Sequence, residues 1–497
     1  MAGLVSALIG SIAIARLLGP AKLGYYNYVL FICNIANRLA SLGVPLATRK
    51  YMAEYLGRGD PLTARAIWRW TSRWQSLMAF LVVLLGLLVV AWKVPPGHRL
   101  YASLAVISLA PAMQMAMYSA VNIAVEDFAG NVKASLASTA LGLSGVALAL
   151  AMGWDLPGLA GALLFERTAD LLLRRHYAAR HARRWLAAGA GFACSAGAVT
   201  AAAFKPVLRR FCAQASLLQV LDIVVWDRSE MLFLKHFCDI RQVAFYSLGF
   251  NITQRLLLLP RAFVSAVSAS VMVRIGKDAE SAAALTIAAF RLMAVAALPI
   301  SFGVGAMSDP IVRILYGPRF LPAIPVLALL AVFASAKALM FPAQDFLVAA
   351  SRQGLLLELM IGAAALNLLL NFLLIPHHGA MGAAVANSAA QTAAAFLAWL
   401  AALQGFRARF PLRPFARILL AAACAGAAAL VLVERLRGPL APPLAVLAAI
   451  AVYALGLRFC RVLEPDDRER LREWTGRLPA SLRLSVNRAI SWLAPEP

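Results

Sequence analysis

Acidic side chains are scarce in this chain, with 23 Asp and Glu among 497 residues against 47 Lys and Arg. Charged residues of both signs amount to only 14%, where soluble domains carry about 25%. With 62% hydrophobic residues and a mean hydropathy of +0.76, this deficit excludes a soluble globule. The six cysteines (Cys33, Cys194, Cys212, Cys238, Cys424, Cys460) show no disulfide or metal-ligand spacing. They are read as small core residues, and no metal is expected. Met1-Ala2-Gly3 opens without a basic region or a cleavage site, so no secretory signal is expected and the first apolar run counts as a span. Long loops on the outward side are missing as well, which argues against a catalytic loop domain.

What the chain does have is a succession of apolar runs, each long enough to cross about 30 Å of hydrocarbon. Fourteen spans are expected, at roughly 2–18, 24–47, 75–93, 101–124, 132–152, 156–173, 213–237, 243–272, 283–307, 322–346, 354–375, 379–403, 415–433 and 440–459. The formal charge of +24 therefore speaks to membrane orientation rather than to nucleic acid. Arg49, Lys50, Arg58, Arg65, Arg69 and Arg73 follow the second span; Arg174, Arg175, Arg180, Arg183 and Arg184 follow the sixth; Arg407, Arg409 and Arg413 follow the twelfth. Loops after odd-numbered spans are poor in Lys and Arg, which places both termini in the cytoplasm.

The chain is also duplicated. Arg16-Leu17-Leu18-Gly19-Pro20, followed by Gly24-Tyr25-Tyr26, returns in degraded form from His236 to Tyr246, 220 residues on. Gly158-Leu159-Ala160-Gly161-Ala162 returns as Gly379-Ala380-Met381-Gly382-Ala383, 221 residues on. Two nearly equal offsets define a tandem repeat of a helical bundle. The domain reading is 1–180 for the first lobe, 181–210 for a cytoplasmic linker and 211–405 for the second lobe. An extra helix pair at 406–460 and a basic amphipathic tail at 461–497 complete it; the tail either lies on the inner leaflet or packs as a short soluble helix.

Polar residues inside the spans point to function, because an ionised side chain at a helix centre costs about 2.5–3.5 kcal/mol on insertion scales. Asn27, Asn34 and Arg38 in the second span fall within roughly 40° of one another on the helix wheel. Ser247, Asn251, Gln254 and Arg255 form a related stripe in the eighth. Arg261, Arg291 and Lys337 add further intramembrane cations. A hydrogen-bonded helix seam accounts for Asn and Gln but poorly for Arg, so a water-filled cavity is expected. Asp222, Asp227 and Glu230 in the seventh span are candidate ion-coupling groups, the alternative being a static ion pair with Arg228. Asn367 and Asn371 in the eleventh span are read as packing residues.

Arg16-Leu17-Leu18-Gly19-Pro20 with Gly24-Tyr25-Tyr26, Leu315-Tyr316-Gly317-Pro318, and the Asn-rich run into Leu374-Ile375-Pro376 with Gly379 and Gly382-Ala383-Ala384 resemble the polysaccharide biosynthesis flippases for O-antigen and exopolysaccharide repeat units. Those flippases belong to the multidrug/oligosaccharidyl-lipid/polysaccharide (MOP) exporter superfamily. The resemblance runs over roughly 10–405. It implies an all-α polytopic membrane protein with about 14 transmembrane helices: two pseudo-symmetric six-helix lobes in a V around a central cavity, plus two C-terminal helices. It further implies a bacterial inner-membrane flippase for undecaprenyl-pyrophosphate-linked oligosaccharides, working beside a polysaccharide polymerase and glycosyltransferases. No cofactor is expected beyond a coupling proton or sodium ion. In the second lobe His236-Phe237-Cys238-Asp239 departs from the expected Gly-Pro turn. A multidrug exporter of the same superfamily is one alternative, although its cavity would favour acidic walls. A membrane-embedded glycan polymerase or ligase is another, disfavoured by the short outward loops, so no catalysis is expected.

Overall fold

The computed structural model describes residues 2–189, 229–256, 279–350, 352–406, 410–436 and 440–460, with positions 212, 216 and 438. Among the described residues every regular element is helical. The chain divides into two compact units, Met1–Ile223 and Val224–Pro497.

The first unit contains α1 (Ala2–Ser41), α2 (Val44–Gly57), α3 (Pro61–Lys93), α4 (Pro96–Ile107), α5 (Leu109–Ala124), α6 (Phe128–Ala151) and α7 (Asp155–Gly189). α1 is two helices: Gly19 at φ 71° lies in the left-handed region and Pro20 cannot donate to the preceding turn, so the direction breaks at the Leu-Gly-Pro motif. α1 and α2 meet at 44° and together form one bent span. α7 extends beyond the sixth span and runs to Gly189, covering the first residues of the expected linker; 190–211 lie outside the described residues.

The second unit contains α8 (Glu230–Phe237), α9 (Ile240–Leu256), α10 (Ala279–Ala306), α11 (Ser308–Leu315), α12 (Ala323–Ala349), α13 (Gln353–Phe406), α14 (Leu412–Arg435) and α15 (Ala441–Phe459). α13 is again a pair, divided at Gly379 (φ 54°) just after Pro376. Its second arm must approach the first closely: a Cβ on Gly382 would stand 2.4 Å from the Leu374 carbonyl oxygen. An aromatic cluster of Phe290, Trp399, Phe410 and Phe415 fills the core beside α10 and α13, with Phe290 and Trp399 edge to face at 4.7 Å. Trp399 Nε1 donates to the Leu339 carbonyl at 2.7 Å, and the Tyr453 hydroxyl of α15 donates to Val295 of α10 at the same distance.

Eight helices are individually long and apolar enough to cross a membrane, nine with the bent α1–α2 pair. α7 falls short on charge, and the described parts of the seventh and eighth spans, α8 and α9, on length. Taking α1 and α13 as two arms each, α2 with the second arm of α1, α4–α5 as one span and the eight-residue α11 as part of a connection, the described helices yield the fourteen segments read from the sequence.

The two units carry the same hairpin tie. Lys22, one turn past the Gly19 break, pairs with Asp155 at the start of α7 at 2.5 Å. Gln242, 220 positions later, accepts a hydrogen bond from the Ala380 amide at 3.0 Å, at the break of α13. Without Gly-Pro, the second unit builds its turn from extended Cys238 and from Asp239, whose carboxylate accepts the Arg241 amide at 3.2 Å.

Candidate functional site

The densest buried polar cluster among the described residues lies in the second unit and centres on Glu230, the first residue of α8, which is 0% exposed. Asn367 of the first arm of α13 and Asn387 of its second arm both donate through Nδ2 to Glu230 Oε1, each at 3.0 Å. Behind them the network continues one helical turn along each arm: Asn371 Nδ2 donates to Asn367 Oδ1 at 2.8 Å, and Gln391 Nε2 to Asn387 Oδ1 at 2.9 Å. Ser229 Oγ donates to Asn367 Oδ1 at 3.3 Å, and the buried Tyr246 hydroxyl of α9 stands beside the Glu230 carboxylate.

Every hydrogen-bond partner of this carboxylate among the described residues is neutral. A fully buried anion with only neutral donors is costly unless a proton or a cation joins it. Asn371 Oδ1 is a further buried acceptor with no hydrogen bond from a described residue. The cluster has the donor set for taking up a proton or a small monovalent cation. Gly379 and Gly382 make it possible, since the tight turn aligns Asn367 and Asn387 on facing arms.

The cavity candidates are spread over four helices. Asn27, Asn34 and Arg38 lie on the second arm of α1, with Asn27 buried, Asn34 exposed and Arg38 half-buried. Asn251, Gln254 and Arg255 are half-buried at the end of α9, Arg291 is buried on α10, and Lys337 is half-buried on α12. Asp222, Asp227, Arg228 and Arg261 lie outside the described residues. Of the three coupling candidates, Glu230 is therefore the one that can be placed. Asn367 and Asn371, read from sequence as packing residues, belong to its network.

Two further groups of residues carry polar contacts within the spans without a motif to mark them. Asn387 and Gln391, i and i+4 on the twelfth span, complete the Glu230 cluster. In the first unit the positions 221 residues earlier are Glu166 and Asp170 on α7. Glu166 lies over Gly142 of α6, where a Cβ would be 2.6 Å from its carboxyl carbon. Arg167 Nη1 donates to Ser108 Oγ at 2.9 Å, at the junction of α4 and α5. Asp170 accepts Arg174 Nε at 2.8 Å, while Arg174 Nη1 reaches Ser119 at 3.1 Å and Asn131 at 3.0 Å. The i, i+4 acid–base spacing and the repeat offset were the available signals.

This architecture, a duplicated helical membrane bundle with buried polar clusters and a hairpin tie repeated in each unit, is that of a multi-pass membrane protein. The family model described as "Polysaccharide biosynthesis protein" matches residues 13–325, and the chain belongs to that family. No curated protein matches its sequence. The fold is similar to that of the lipid II flippase MurJ in an inward closed conformation, with TM-score 0.70, 14% identity and coverage of 91% of this chain and 96% of that one. It is also similar to the inward-facing conformation of a multidrug resistance MATE family transporter of the MOP superfamily, with TM-score 0.68, 13% identity and coverage of 82% and 94%. A Vibrio cholerae MATE transporter aligns with TM-score 0.55, 14% identity and coverage of 82% and 96%. At these identities the likeness concerns the fold.

Proposed function

We propose that the chain is a flippase that moves polyprenyl-pyrophosphate-linked oligosaccharide repeat units from the cytoplasmic to the outer leaflet of the bacterial inner membrane by alternating access, without catalysis. Membership of the polysaccharide biosynthesis family and the likeness to a lipid II flippase support it. The observation that carries it is the pair of matched polar stripes, each bearing a cation within a membrane span: Asn27, Asn34 and Arg38 on α1, and Ser247, Asn251, Gln254 and Arg255 on α9. Arginine neutralises phosphate through paired N–H donors, which a pyrophosphate needs if it is to cross a region of low dielectric. Arg291 and Lys337 are further contacts for the same anion, as is Arg261, while Asn34 and Gln254 suit sugar or headgroup hydroxyls. Glu230 is the coupling carboxylate, loaded by a proton or a sodium ion.

Removing the charge in Arg38→Gln or Arg255→Gln should lower glycan export at least about tenfold, the loss of one charge-assisted contact, with lipid-linked repeat units accumulating inside the cell. Normal export from well-expressed variants would sink this reading. A cation-coupled multidrug exporter is the second reading, favoured by the buried Glu230 cluster. It predicts that Glu230→Gln raises drug sensitivity while glycan export is untouched.

A further inference from the structure

α3 carries no acidic residue, and none occurs between Asp60 and Glu126. Its most apolar window has a mean hydropathy of 2.3 and is only 17% buried, so this helix turns most of its surface outward to lipid. Phe80, Leu84 and Leu88 mark the lipid-facing side, each at least 43% exposed. Trp92, with the Lys93 ammonium 3.8 Å from its ring centroid, marks the interface at one end. About 30 Å of hydrocarbon is about twenty helical residues, which sets the opposite interface near Arg73 and Trp74. Arg69 and Arg65 follow one and two turns further out, about 6 and 12 Å from Arg73 along the helix axis.

The azimuth matters as much as the depth. At about 100° per residue, Phe80, Leu84 and Leu88 span a sector of about 80°, and Arg73 and Trp70 project within it. Arg69 and Trp74 flank the sector by about 20° and 40°. A lipid chain lying on Phe80, Leu84 and Leu88 therefore brings its headgroup down onto these four residues. Trp70 and Trp74 are stacked at 6.4 Å with planes 10° apart, and Arg69 and Arg73 are exposed. Arg65, Arg69 and Arg73 make no ion pair or hydrogen bond with a described residue. Some exposed cations elsewhere are neutralised by carboxylates, as in Lys22–Asp155, Arg58–Glu54 and Arg313–Asp309.

We propose that this face of α3 is a binding site for the phosphate of an anionic phospholipid in the leaflet on the arginine side. Arg73 and Arg69 supply paired N–H donors to the phosphate, the indoles of Trp70 and Trp74 pack at the ester level, and the acyl chain follows Phe80, Leu84 and Leu88. Charge complementarity selects the ligand: the site has no acid to receive the ammonium of a zwitterionic lipid. A merely anchoring aromatic belt would hold both kinds of lipid equally.

The test is native mass spectrometry of the full chain, delipidated and offered phosphatidylglycerol and phosphatidylcholine as probes. The wild type is expected to retain phosphatidylglycerol preferentially, by about fivefold for each arginine at the headgroup level. R69Q/R73Q should lose about 25-fold in phosphatidylglycerol retention with phosphatidylcholine unchanged, and R69K/R73K should keep most of the preference. Equal retention of the two lipids by the wild type would overturn the proposal, as would an unchanged preference in R69Q/R73Q of normal helicity. Displacement of phosphatidylglycerol by an equimolar amount of undecaprenyl diphosphate would also overturn it, assigning the face to the carrier lipid. If R69Q/R73Q does not insert, the wild type decides alone: its preference must fall as salt is raised from about 0.05 to 0.5 M, because exposed charge contacts are screened, and a preference indifferent to salt overturns the proposal.

Discussion

Glu230 shows how a single charge organises its surroundings. Two amide donors converge on one carboxylate oxygen from two arms of the same long helical element, and each amide is held in turn by a polar residue one turn away. Truncating Asn387 to Ala leaves a buried carboxylate short of a donor and strands Gln391. Asn387→Ala should therefore destabilise the protein by about 1–3 kcal/mol, readable as a lower unfolding temperature in detergent. Glu230→Gln removes the charge while keeping the shape, and should relieve that penalty in the Asn387→Ala background. A different residue-scale effect sits in the loop between α5 and α6. Burial pushes the Asp127 carboxyl up, but the Gly130 amide at 2.8 Å and His181 at 2.8 Å outweigh it and hold the group below the usual carboxylate range. A depressed folded value means that the stabilisation is present above the unfolded carboxylate range and is lost as pH falls through the folded one. Asp127→Asn should flatten the stability profile below about pH 5, where the wild-type carboxylate takes up its proton, while keeping the helix cap, as followed by thermal unfolding.

At the scale of elements, the helical hairpins depend on residues that have almost no side chain. Gly382 meets backbone rather than a movable side chain, so Gly382→Ala must separate the two arms of α13 and with them Asn367 from Asn387. It should cost about 1–3 kcal/mol, whereas Gly303→Ala in α10, which opens onto free space, should be close to neutral. Folded yield and unfolding temperature of the two variants check the contrast. α7 shows how an element can be legible and still misjudged. Its span was visible as an apolar run, but Glu166, Arg167 and Asp170 were absorbed into it because a hydropathy average over some twenty residues conceals three charges. Only their partners on α4, α5 and α6 explain why they are tolerated.

For the whole molecule, duplication and charge asymmetry set the plan. Loops rich in Arg, such as the one holding Arg58, alternate with poor ones such as 152–155, and this orders the expected topology. A periplasm-dependent phosphatase fused after Gly153 should be active, and one fused after Gly59 inactive; the reverse pattern would invert the orientation. The repeat also survives as geometry, since Lys22 and Gln242 tie equivalent hairpins with different chemistry, an ion pair in one unit and an amide hydrogen bond in the other.

The sequence by itself determined that this is a polytopic membrane bundle of about fourteen helices and that it is duplicated. Those properties are one-dimensional: run length against hydrocarbon thickness, and offset between copies. The tertiary structure decided which polar groups meet. Glu230 lies 137 and 157 residues from the two amides that bind it, and Asn367 looked like a packing residue until the rotation of its helix was known. Such contacts depend on helix azimuth and on the closeness of two arms at Gly379 and Gly382. Local periodicity does not encode these, because the same stripe satisfies a lipid face, a helix seam or a buried carboxylate equally well.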